Sequence, residues 1–167
     1  MRRKIIAAML SAIFMLMAGQ ALAWPDEKAY LFRYWNAADG DHFYTTDWQE
    51  LGFSGNYGWD YEWIQCSVSK TQVVDTAPLY RYFNASAVDH FYTTNFGELG
   101  MGASGYVLEG VVGYIVPPNI QRNGTIPLYR YYNADITDHF YTTDFNELGS
   151  GGGGYVYEGI AGYVWKW

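Results

Sequence analysis

Every histidine of this chain, His42, His90 and His139, stands in the same hexapeptide, Asp-His-Phe-Tyr-Thr-Thr, at 41–46, 89–94 and 138–143. Each copy is preceded by an arginine (Arg33, Arg81, Arg130), contains a tyrosine (Tyr44, Tyr92, Tyr141) and is followed by a glutamate (Glu62, Glu109, Glu158). These residue types grip carboxylates and hydroxyls, or move protons. Two roles fit them. In the first they are structural: each Arg stacks on an aromatic ring and holds a Glu bidentately, because a buried charge without a partner is costly. Histidine would then donate to a carbonyl and fix its turn. In the second, the same twelve residues form three equivalent ligand-binding pockets.

Other chemistries find less support. Three related histidines could make a trigonal metal centre, but no pair has His-x3-His spacing. Asp39-Gly40-Asp41 does not recur in the other copies, and no EF-hand loop follows it. Neither a metal nor a cofactor is expected. A Gly-x-Ser-x-Gly elbow, a His-Glu-x-x-His helix and a phosphate loop are all missing. Polar residues in triplicate suit binding through several weak contacts better than a single asymmetric active site. The expectation is therefore a binding protein and not an enzyme.

The elements that must position these residues repeat with them. Segments 31–46, 79–94 and 128–143 align, each followed by Glu-Leu-Gly and then by GWDYEWIQCSV (58–68), GYVLEGVVGYIV (105–116) or GYVYEGIAGYVW (154–165). Two runs rich in aromatic and branched residues, separated by four turn-like residues, predict a hairpin. Pairing Asn36 with Asp41, Asn84 with Asp89 and Asn133 with Asp138 sets each Arg opposite its Tyr, with the His on that face. Asp47, Asn95 or Asp144 with a Glu three residues on reads as a capping box, stopped by glycine. The closing segment reads as two short strands bent at glycine. Pro78 and Pro127 mark strand starts, and the linkers 69–77 and 117–127 are short.

Four strands in each of three repeats (30–68, 79–116, 128–165) predict an all-β, pseudo-threefold, closed β-trefoil-like domain of ~48-residue repeats, each with a short capped helical turn. A closed ring of three small α+β units is the alternative. Closure would remove exposed sheet edges.

The first 23 residues read as a signal peptide: Arg2, Arg3 and Lys4, an apolar run, then Ala21-Leu22-Ala23. Cleavage after Ala23 predicts a secreted or periplasmic protein with its domain at 24–167 and no membrane span thereafter. The whole chain carries a net charge of −7, with seventeen Asp and Glu against ten Lys and Arg, three of the latter in the leader. Such a surface repels phosphate backbones, so nucleic acid is no expected partner. A lone cysteine, Cys66, leaves no internal disulfide, so the core rests on aromatic side chains; of the chain's 7 Trp, 17 Tyr and 9 Phe, all but Phe14 lie beyond the leader.

The unit LYRYYNADITDHFYTTDFNELG…GYVYEGIAGYV resembles a tandem-repeat domain of unknown function found in secreted microbial proteins. Its members share the Leu-Tyr-Arg, His-Phe-Tyr-Thr and Tyr-Glu-Gly-Ile-Ala elements, and the likeness spans residues 30–165. Such domains often accompany extracellular hydrolases, which implies attachment to carbohydrate or cell-wall glycan. Abundant Tyr and Trp beside Asp and Asn agree with sugar recognition. Trp35, Trp48 and Trp59 of the first repeat are expected to be partly exposed. The rival reading is a protein-interaction or inhibitor module of the bacterial envelope working through loops 117–127 and 149–154; a hydrolase ranks third. The first repeat departs from the pattern at Trp63, Cys66 and Ser67, so a pocket built there is expected to differ.

Overall fold

The computed structural model describes residues 27–53 and 56–167, so the expected leader lies outside the described residues. The fold is all-β. Three units repeat one pattern: β1 (Lys28–Asn36), β2 (Asp41–Thr45) and β3 (Asp60–Ser69); β4 (Ala77–Asn84), β5 (Asp89–Thr93) and β6 (Val107–Ile115); β7 (Thr125–Asn133), β8 (Asp138–Thr142) and β9 (Val156–Trp165). In every unit the first strand is central and pairs antiparallel with both others. The hairpin register is the expected one: Asn36 opposite Asp41, Arg33 opposite Tyr44, and likewise in the other units.

The third strand corrects an expectation. Its glycines do not divide it into two strands; each unit has one long strand with two bulges against its partner. One bulge skips Glu62, Glu109 or Glu158, and the other skips Gln65, Val112 or Ala161. A bulge turns an extra residue out of the regular alternation. Here that residue is the glutamate, which is swung towards its arginine. Gly110 and Gly159 sit beside it at φ +155° and +127°, where a side chain would be strained.

The capped helical turn is corrected as well. Among the described residues only a 3-10 turn, Phe145–Glu147, appears, capped by Asp144 Oδ1 accepting from the Asn146 N–H at 2.9 Å. The glutamates of Glu-Leu-Gly do not close a capping box. Their carboxylates leave for arginines of another unit, and Thr45, Thr93 and Thr142 hydroxyls accept the amides at 47, 95 and 144 instead.

Pairing runs β5-β4-β6-β3-β9-β7-β8, with β1 and β2 off β3, and this backbone pairing leaves the sheet open. Side chains link its edges. The short strands β2, β5 and β8 are buried throughout. The Tyr44 hydroxyl donates to the Tyr141 carbonyl, Tyr141 to Tyr92, and Tyr92 to Tyr44, each at 2.8–2.9 Å. Each hydroxyl also accepts the amide of the unit it reaches, at 2.7–2.8 Å. The three rings lie edge to face at 5.4 Å. Around them pack Leu31, Leu79 and Leu128, with Cys66, Val68, Ile115 and Val164. Cys66 thus serves the core, and burial pushes its thiol pKa up, which keeps it inert. No helix among the described residues is long and apolar enough to cross a membrane.

Candidate functional site

Each histidine is clasped by an aspartate of another unit. His42 Nδ1 lies 2.6 Å from Asp138 Oδ2 while its amide donates to Asp138 Oδ1 at 2.8 Å; Asp41 holds His90 and Asp89 holds His139 in the same way. A ring nitrogen facing a carboxylate carries the proton, so Nδ1 donates. The histidines therefore do not fix their turns through carbonyls, as expected from the sequence, but join units. The three aspartates are fully buried, with one oxygen from each within 4.8 Å of the others. Every carboxylate oxygen already accepts a donor, so the cluster is a hydrogen-bond hub. Tyr106 and Tyr155 hydroxyls also donate to Asp89 and Asp138. Trp59 occupies the matching position near Asp41 and has no hydroxyl to give. Burial raises the Asp41 carboxyl above its ordinary pKa, against the opposing pull of His90.

The arginines form the next layer. Arg33 donates through Nε to Glu62 at 2.7 Å and through both terminal nitrogens to Glu147 of the third unit. Arg81 takes Glu109 and Glu50, and Arg130 takes Glu158 and Glu98. Each guanidinium lies over a phenylalanine of the neighbouring unit: Phe140, Phe43 and Phe91. Burial alone would lower the arginine pKa values, but the facing tyrosine (Tyr44, Tyr92 or Tyr141) and the paired carboxylates together outweigh it and raise them. The structure thus brings Arg, His and Glu of each unit together, with His Nε2 3.8–3.9 Å from the glutamate. Tyr44, Tyr92 and Tyr141 lie apart from solvent, about 1% exposed.

The three boundaries are unequal. Where the second and third units have Gly110 and Gly159, the first has Trp63, whose ring covers Arg33 at 3.9 Å. The Arg33 side chain is 3% exposed, against 14% and 18% for Arg81 and Arg130. Gln65 stands in the place of Val112 and Ala161. Its Oε1 accepts from the Trp63 indole at 3.1 Å and from Arg33 at 3.2 Å, and its amide donates to Thr143 at 3.1 Å. Between the first and third units Trp63, Gln65 and Thr143 line a cleft of about 340 Å³ with Thr142, Asp144, Glu147 and Trp167. Between the second and third units the cleft beside Arg130, Glu98 and Glu158 is about 180 Å³ and has no aromatic residue in its wall.

Residue-by-residue reading missed Gln65, Thr143, Asp144 and Trp167. It also gave the Glu-Leu-Gly glutamates a local role. The signal was present: Glu50, Glu98 and Glu147 recur as regularly as Arg does, and Gln65 lies within the stretch Trp63–Ser67 where the first unit departs from the other two. Of the tryptophans expected to be partly exposed, Trp35 and Trp59 are half-buried, and Trp48 is exposed and stacks on Phe53 at 5.3 Å.

Comparison with curated proteins and with solved structures finds no match. One family profile does match, over residues 30–165, which takes in β2 to β9 and nearly all of β1. On that match the chain belongs to the DUF5648 family, a domain of unknown function.

Proposed function

We propose that this is an exported, non-catalytic binding protein that recognises carbohydrate, such as cell-wall glycan, in the cleft between its first and third units. The observation that carries the reading is a pair of exposed indoles, Trp63 (44% exposed) and Trp167 (71%), beside Gln65, Thr143 and Asp144. A sugar offers apolar C–H faces to stack and hydroxyls to satisfy, and this wall supplies partners for both. Trp63 is already fixed by the guanidinium beneath it and by its hydrogen bond to Gln65, so little side-chain freedom is left to lose on binding.

The sites expected in triplicate become one preferred site, because only the first unit carries Trp63 and Gln65. The arrangement around the tyrosines is read here as a trefoil-like, pseudo-threefold closed domain. Glu147 is held by Arg33, which suits a fixed acceptor better than a proton-transferring acid. Export rests on residues 1–23, and N-terminal sequencing of the released protein should begin at Trp24.

The deciding experiment is retention on insoluble polysaccharides and on a glycan array. Wild type is expected to be retained, and Trp63→Gly, which installs the residue of the other two units, to lose retention about tenfold or more. No retention of wild type on any glycan sinks the reading. The alternative, a protein-interaction or inhibitor module, has the exposed Met101, Val107 and Val111 of the second unit in its favour; a single stoichiometric partner in a pull-down would select it.

A further inference from the structure

The cleft does not end at Trp167. A second hollow of about 330 Å³ is lined by Gln65, Thr143, Trp167, Ile126 and Lys166. The two hollows share Gln65, Thr143 and Trp167, so they are two lobes of one groove along the boundary of the first and third units. Each lobe lies near the lower end of the range for small-ligand sites, about 300–1,000 Å³, which suits one ring apiece. The shared residues are chemically apt for a junction. Gln65 and Thr143 hold one another at 3.1 Å, and Trp167 lines both hollows.

Building on the carbohydrate reading, we infer that the groove takes an oligosaccharide of at least two rings laid across Trp167, not a single terminal sugar. Adjacent rings of a linked sugar alternate apolar faces and hydroxyl edges. One ring stacks near Trp63 in the lobe walled by Asp144 and Glu147, and the next lies against Ile126 and Lys166. A single sugar fills one lobe and leaves the other to water. The second ring binds as part of the same molecule and adds contacts without a second loss of translational freedom.

The test is calorimetric titration of the intact protein with β-1,4-linked glucose and N-acetylglucosamine oligomers of one to six rings. Affinity is expected to rise about tenfold or more from one ring to two or three, then to level off. Trp167→Ala should bring oligomers down to within about threefold of the single sugar. This variant removes an exposed ring and leaves the core intact, and its unchanged thermal midpoint confirms that. Equal affinity for all lengths, or a length gain that survives Trp167→Ala, overturns the inference while leaving carbohydrate binding standing. Failure of wild type to bind any length defeats the carbohydrate reading beneath it.

Discussion

Arg33 shows how much one position can differ among near-identical repeats. All three arginines are held by two carboxylates, but only Arg33 is covered by Trp63 and braced by Gln65; Arg81 and Arg130 stand opposite glycine and are less deeply buried. Glu147→Gln is expected to lower stability by about 2 kcal/mol, less than the 3–5 typical of breaking a fully buried pair, because Glu62 and Gln65 still hold Arg33. Glu50→Gln, at a wetter pair, should lower it less. Urea unfolding of the two variants checks the order. Trp59 offers a second contrast. Tyr106→Phe removes the donor to Asp89 and should reduce stability by about 1–3 kcal/mol. Trp59→Tyr supplies Asp41 with the hydroxyl that its counterparts have. It should be neutral or stabilising and move the Asp41 carboxyl back towards its ordinary pKa, measurable by carbonyl NMR titration.

The strands and turns were partly legible in the sequence, and the reasons differ by element. The hairpin register followed from six repeated residues and a four-residue turn, because period-two alternation admits few pairings that bury Tyr34, Tyr82 and Tyr131. Arg and Glu recurring together also foretold their pairing. Bulges were not legible: glycine in a strand marks either a break or a bulge, and only the partner strand decides which. The capping box failed for a related reason. Its glutamate satisfies the local rule, but a buried guanidinium of another unit attracts it more strongly. The cleft was least legible, since Trp167 falls outside the repeat and Gln65 has no polar counterpart in the other units. Close packing sets a further prediction. A Cβ at Gly162 would meet the Val116 carbonyl at 2.7 Å, and a backbone oxygen cannot step aside cheaply. Gly162→Ala should therefore cost about 1–3 kcal/mol, seen as a lower thermal midpoint, although Cys66 stands at the matching place in the first unit.

Across the whole molecule, acid titrates groups with opposite effects. Glu50 has a folded pKa below its ordinary 4.5: burial pushes upward, but the Arg81 and Thr45 hydrogen bonds prevail. A lowered carboxylate contributes stability above its unfolded pKa and loses it as pH falls through the folded value. Asp41 is raised, so ionising it opposes folding, and that opposition fades in acid. Thermal midpoints from pH 7 to 3 should thus fall on the Glu50 limb below about pH 4.5, and Glu50→Gln should flatten that limb.

The tyrosine hydroxyls carry a last consequence, for evolution by duplication. Every hydroxyl donates to one neighbour and every such carbonyl receives one donor, so the set is saturated at three. A gene that gained a fourth copy would encode a segment with no vacant seat at the centre. It would trail as a protease-sensitive appendage, and limited digestion of such a fusion should trim it back to the original length.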